Sequence, residues 1–283
     1  ANPAFDEKDK SNLPEGTHRG LRSIDLVQTL PPLENTVEEA QTIAQLFPES
    51  RVLLGTNATE AAVKAAHAPR ILHLATHGFF VPEQLARAGE NPLLRSGIAL
   101  AGFNQRQSGK DDGVLTALET AALDLNGTKL VVLSTCESGL GQATSGEGVY
   151  GLRRALAISG SETQVMSLWQ VDTGRTRELM QAYYGRLQRG EGRSDAMREV
   201  QLDMLANSDT AHPNLWASFI VSGEWRTLDG HVRVPEVLRV SPGLRGCACT
   251  QVGHEAPSDS GWCVLILGGA IVLRRRVRAE KAC

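Results

Sequence analysis

Lys129-Leu130-Val131-Val132-Leu133-Ser134 is the clearest strand in the chain, and Thr135-Cys136 closes it. An uninterrupted apolar run of this length between polar ends reads as a buried strand. Upstream, Arg70-Ile-Leu-His-Leu-Ala75 has the same character and ends at Thr76-His77-Gly78. Downstream, Gln164-Val-Met-Ser-Leu-Trp169 is a third such run. Weaker strand candidates are Arg51–Gly55, Gly97–Ala101 and Ala217–Val221. Helical patterns fill the intervals. Val37, Ala40, Ile43, Ala44 and Phe47 recur at three- and four-residue spacing until Pro48. Thr56 or Asn57 is the expected cap of a helix running to Ala66. Further helices are expected over Leu115–Ala122, Val149–Ile158, Thr173–Leu187 and Arg193–Leu205. Strands alternating with helices predict an α/β fold, a mostly parallel sheet with helices on both faces. In such sheets sites gather beyond the carboxyl ends of the strands. His77 and Cys136 are both expected just after a strand ends, which would bring them together.

The bulk composition narrows the function classes. A chain of 283 residues holds one large domain with room for an appendage. A net charge of -3 and an aromatic content of 5% speak against general nucleic-acid affinity and base stacking. Residues 1–32 are polar and broken by Gly and Pro, so they read as a linker or a truncated start of the domain. The domain itself is expected over 33–226, a linker over 227–260, and a short hydrophobic and basic tail over 261–283. Of the five cysteines, Cys136 stands alone in the body while Cys247, Cys249, Cys263 and Cys283 cluster near the end, unlike a disulfide framework. His67, His212, His231 and His254 have no companions at metal-ligand spacing, and no cofactor motif is present.

A thiol attacks a carbonyl as its thiolate, and an isolated cysteine is mostly protonated at neutral pH. A neighbouring imidazole can take that proton and later protonate the leaving amine. His77 and Cys136 at adjacent strand ends would meet this requirement. Backbone N–H groups of Gly78 and Cys136 are the natural donors to the tetrahedral oxyanion. Glycines 139, 141, 146 and 148 would leave room for substrate. Spacing alone leaves two alternatives open, since a lone Cys at a strand end is also a common packing residue. His73, inside its strand, reads as structural. Asp111-Asp112 reads as a solvated turn, and Trp169 as core.

The words around these residues carry a resemblance. Ile71-Leu-His-Leu-Ala-Thr-His-Gly-Phe-Phe80 and Leu130-Val-Val-Leu-Ser-Thr-Cys-Glu-Ser-Gly-Leu140 resemble the histidine and cysteine blocks of CHAT-domain proteases. Gly146–Leu156, Val165–Thr173 and His212–Trp225 resemble the following blocks, in family order. The family belongs to the caspase, separase and gingipain class of cysteine peptidases. The resemblance implies a caspase-like three-layer α/β sandwich and a Cys–His dyad at Cys136 and His77. It implies a protein substrate and no cofactor or metal. Ser134-Thr-Cys-Glu-Ser-Gly139 departs from the cysteine signature of true caspases, so cleavage after aspartate is not implied. Related separases recognise arginine through an acid in the loop after the next strand. Asp172 lies in the similar loop, and it also suits the cap of the helix starting at Thr173. Many members carry tetratricopeptide repeats upstream, and Asn2-Pro3-Ala4-Phe5-Asp6 resembles the segment after a first core strand. The chain is therefore expected to be part of a longer bacterial protein with upstream repeats or a regulatory partner. A catalytically silent scaffold or interaction module is the alternative to a peptidase.

The tail resembles a MYXO-CTERM sorting signal. Gly246-Cys-Ala-Cys249 precedes a polar spacer, an apolar block over Gly261–Leu273 and Arg274-Arg275-Arg276. That resemblance implies membrane contact through the tail, although the block is shorter than the roughly 20 residues that span a bilayer. Two locations stay open, cytoplasmic and attached to the cell envelope.

Overall fold

The computed structural model describes residues 3–4, 23–27, 29–33, 35–86, 88–137, 147–169, 172–232, 264–267 and 270–273, with 135–137, 147–150 and the last two segments described by backbone alone. The chain divides into two compact units, Ala1–Val234 and Pro235–Cys283. The first unit contains strands β1 (Ile71–Phe80), β2 (Ser96–Ala99), β3 (Val114–Thr116), β4 (Leu130–Glu137), β5 (Thr163–Ser167) and β6 (Phe219–Gly223). Its helices are α1 (Thr36–Leu46), α2 (Glu60–Lys64), α3 (Ala117–Thr120), α4 (Glu147–Ile158), α5 (Thr173–Gln188) and α6 (Arg193–Ala206). The six strands form one sheet in the order β3-β2-β1-β4-β5-β6.

The middle of the sheet, β1-β4-β5, is parallel, while β2, β3 and β6 extend it antiparallel at the edges. Helix α4 is the crossover that returns the chain parallel from β4 to β5, whereas β1 reaches β4 by way of β2, β3 and α3. Leu130, Val131, Val132 and Leu133 of β4 are fully buried. Alternation divides them between two cores. Leu130 and Val132 join Val165 beneath α5 and α6, with Leu179, Tyr183, Ala196 and Val200. Val131 and Leu133 join Met166 on the other face, with Leu152, Ala155 and Leu156 of α4. A strand buried on both faces cannot alternate apolar with polar, which is why its sequence is continuous. The result is a three-layer α/β sandwich of the caspase-like kind.

Several elements depart from expectation. β1 does not stop at Ala75. It continues to Phe80, because Gly78, Phe79 and Phe80 pair with Ile98, Gly97 and Ser96 of β2. Gly97 is required there: a Cβ would lie 2.7 Å from both the Leu115 carbonyl oxygen and the Phe79 ring. The expected helix over 115–122 is instead β3 followed by the one-turn helix α3, whose Thr116 and Glu119 form a reciprocal cap. The expected strand over 51–55 is irregular chain, with a single bridge from Gly55 to Pro3. Helix α2 is capped by Thr59 rather than Thr56 or Asn57, its hydroxyl accepting from the Ala62 N–H at 3.1 Å.

Residues at both margins, expected as a linker or truncated start at one end and as a linker at the other, pack with the domain. Ile24, Val27 and Leu30 are buried with Phe79, Val81, Ala99, Phe103 and Val114. Residues 227–232 stay with the domain: Leu228 is buried among α5 and α6 side chains. The Thr227 carbonyl accepts from the fully buried Arg193 guanidinium at 3.2 Å. A buried guanidinium needs such acceptors, and Thr163 and Glu162 supply two more. In the second unit β7 (Val264–Leu267) and β8 (Ala270–Leu273) pair antiparallel, so the described part of the apolar block is two paired strands. The cysteine pair and arginine cluster of the expected sorting signal lie outside the described residues. Among the described residues no helix is long and apolar enough to cross a membrane.

Candidate active site

The parallel ladder between β1 and β4 runs without a break from Ile71↔Leu130 to Gly78↔Glu137, and in that register His77 stands opposite Cys136. Neighbouring strands are about 4.8 Å apart, so the two positions are side by side on the sheet. Both were expected beyond strand ends, and both instead lie within the final residues of their strands. Ladder pairing makes their backbones more rigid than a loop would. The Gly-rich segment 138–146, expected to receive substrate, lies outside the described residues.

His77 is 5% exposed. Its Nε2 donates to the Pro31 carbonyl oxygen at 2.8 Å. A carbonyl can only accept, so this bond fixes the ring proton on Nε2. A neutral imidazole of that tautomer carries its lone pair on Nδ1. Burial holds the His77 pKa below the ordinary histidine value, against the pull of the Pro31 carbonyl in the other direction. The ring is thereby kept neutral and basic at neutral pH, the form a proton acceptor needs. Beside it, the Thr76 hydroxyl donates to the Ala99 carbonyl at 2.6 Å and ties β1 to β2.

The remaining candidates fall as follows. Gly78 follows His77 in the strand and pairs with Ile98 and Glu137. Asp172 is exposed and caps α5, its carboxylate accepting from the Arg175 N–H at 2.8 Å. Trp169, expected as core, is 37% exposed in the loop after β5. His73 is structural as expected: its ring nitrogens lie 3.0 Å from the Tyr184 hydroxyl and 3.0 Å from Glu39. Asp111-Asp112 is not a solvated turn. Asp112 is buried and accepts from the Val114 N–H, while Asp111 lies 3.1 Å from Lys64. Lys64 also reaches Glu60 at 2.6 Å and Glu119 at 3.4 Å. Burial pushes the Glu60 carboxyl up to about 7, although Lys64 pulls it down. The ammonium already fills the space between these acids, and among the described residues no cluster of His, Cys, Asp and Glu is arranged for a metal.

The Pro31 carbonyl is the part of the site that sequence reading missed. Pro31 and Pro32 fall in the stretch 1–32 read as a linker or truncated start, and a backbone acceptor leaves no mark in side-chain chemistry.

Comparison with known proteins agrees with this architecture. The CHAT domain matches residues 1–224. The chain belongs to the CHAT domain family. A stretch of 110 residues, 39% of the chain, is 31% identical to human "Tetratricopeptide repeat protein 28". The aligned part is 4% of that much longer relative. This CHAT domain therefore corresponds to a small portion of the curated protein it resembles.

Proposed function

We propose that this CHAT domain is a cysteine endopeptidase, with Cys136 as nucleophile and His77 as general base and acid. One observation carries the reading: a buried, neutral histidine with its Nε2 committed stands in ladder register with the lone body cysteine on the adjacent parallel strand. In the proposed reaction His77 Nδ1 takes the thiol proton. The sulfur bonds to the scissile carbonyl carbon, and the carbonyl π pair moves to oxygen. The Gly78 and Cys136 N–H groups are the donors assigned to that oxyanion. Collapse breaks the C–N bond, and His77 returns the proton to the leaving amine. Water then attacks the thioester, its proton passing to His77 and on to the departing thiolate, which releases the new carboxyl terminus.

Asp172 caps α5 through Oδ1 and its carboxylate is exposed, so a preference for Arg or Lys before the scissile bond is part of the proposal. The named relative, a tetratricopeptide repeat protein, supports a helical-repeat neighbour that presents substrates or controls access.

A thiol-directed electrophilic peptide tests the dyad. Site-resolved mass spectrometry should find it on Cys136 in the wild type, in preference to Cys247, Cys249, Cys263 and Cys283. Labelling should vanish in Cys136→Ala and in His77→Ala. A folded protein whose Cys136 stays unmodified would overturn the peptidase in favour of a scaffold.

A further inference from the structure

We infer that Asn104 is a positioning residue for His77, resting on the dyad reading above, because its amide clamps the peptide that aims the Pro31 carbonyl. The Leu30 N–H donates to Asn104 Oδ1 at 2.8 Å, and Asn104 Nδ2 donates back to the Leu30 carbonyl at 3.1 Å. One planar side chain thus holds both polar groups of one residue, and Leu30 cannot turn without breaking two hydrogen bonds. A primary amide offers a donor and an acceptor side by side at every pH, whereas an ionised carboxylate only accepts.

The clamp is transmitted by two prolines. The Pro31 ring fixes its own φ, and Pro32 restricts Pro31 to extended conformations. With Leu30 held, few ways remain for the Pro31 carbonyl to point. It points at His77, accepting from Nε2 at 2.8 Å.

Asn104 is itself held. It lies in the turn Phe103–Gln105, bounded by left-handed Gly102 (φ 83) and Arg106 (φ 54). A Cβ on Gly102 would fall 1.8 Å from the Gln107 carbonyl oxygen, so the turn closes only around glycine. Phe103 is buried with Ile24, Val27, Leu30 and Phe79, and Phe79 is two residues beyond His77 on β1. Arg106 adds a second grip, donating to the Ile24 carbonyl at 2.9 Å. Asn104 and Arg106 of the turn 102–107 therefore grip backbone atoms of Ile24, Val27 and Leu30, and Asn104 holds the residue next to the carbonyl that matters. Without it the carbonyl can swing, the imidazole loses its fixed tautomer, and Nδ1 is no longer aimed by a rigid partner.

The test uses the full chain carrying ¹⁵N-labelled histidine. In the wild type His77 should show the Nε2–H tautomer through neutral pH. In Asn104→Ala the imidazole should become a mixture of tautomers. Peptide-cleavage kcat should fall about 10- to 100-fold with KM changed less than about twofold, the signature of misplaced chemistry rather than lost binding. Gln201→Ala is the control, since Gln201 grips the Trp216 and Phe219 carbonyls on the β6 side of the sheet. It should leave the His77 spectrum unchanged. Should Asn104→Ala not fold, Asn104→Asp keeps the size and the acceptor for the Leu30 N–H and carries the same readout. A folded Asn104 variant with the wild-type tautomer would overturn the clamp. A wild type that cleaves nothing, while Asn104→Ala still scrambles the tautomer, would overturn the peptidase and support the clamp.

Discussion

His73 and His77 lie four residues apart on β1, at positions of the same parity, yet the two ends of that strand treat the same side chain differently. Opposite His73 on β4 stands Val132, and opposite His77 stands Cys136. His73 meets two side chains, the buried Glu39 carboxylate and the buried Tyr184 hydroxyl, which tie β1 to α1 and α5. His77 meets a backbone carbonyl through Nε2. The carboxylate and the hydroxyl between them engage both ring nitrogens of His73, so that ring is spent on holding helices to the sheet. A carbonyl partner orients the ring while leaving its charge to burial. The lesson is that one side chain becomes a tie between layers or a candidate base according to the partners its place on the strand gives it.

The largest expected effect separates the two histidines by function. His77→Ala should lower peptide cleavage by about 10³-fold, since it removes the proposed general base. Replacing His73 should leave the rate per folded molecule near wild type. The same pair exchanges rank in stability. His73→Ala leaves Glu39 buried without its partner, and should cost about 3 kcal/mol in urea unfolding. A His73 variant that unfolds no more easily, or that also loses activity per folded molecule, would break the contrast.

Burial acts on Glu60 as it acts on His77, with opposite sign because the charged forms differ. The Glu60 carboxyl is raised from 4.5 to about 7. Its contribution to stability is full below pH 4.5 and is lost as pH rises through about 7. His77 is lowered from 6.5, so its contribution is present above pH 6.5 and is lost as pH falls below that value. The two slopes oppose each other where they overlap. In Glu60→Gln the melting temperature should stop falling between pH 4.5 and 7. The residual rise toward pH 6.5 should then vanish in the double variant with His77→Ala. A Glu60→Gln protein with the wild-type pH profile would remove burial as the common cause.

The smallest effect tests whether Asp172 does more than cap α5. Asp172→Ala should cost about 1 kcal/mol, whereas Asp172→Asn, an equally good cap, should cost little. If the carboxylate also reads the substrate, Asp172→Asn should abolish a preference for Arg or Lys at full stability. A peptide library cut identically by wild type and Asp172→Asn would leave the cap as its role.

Much of the fold was legible because its signals are local. The apolar run at 130–133 is buried on both faces, and the helices from Thr173 and Arg193 start where their sequences say. The errors lie where pairing partners decide. The second half of β1 looks like a turn in Thr76-His77-Gly78 and is a strand because β2 lies beside it. Val114–Thr116 is β3 for the same reason, despite helical neighbours. Asp112 looks solvated in a Gly- and Lys-rich loop and is buried by contacts from distant residues. Trp169 looks like core by composition and is partly exposed by its place after β5.

The sequence alone determined the α/β class, the alternation that builds three layers, and the choice of His77 and Cys136 as candidates. These follow from side-chain type and short-range periodicity, which a chain carries wherever it goes. The tertiary structure decided the ladder that sets 77 against 136. It also decided the tautomer that Pro31 imposes and the clamp by which Asn104 holds Leu30. Those depend on hydrogen bonds to backbone atoms, which every residue shares. Only the folding of residues 24–27, 29–31 and 102–107 against β1 says which backbone atom meets which ring.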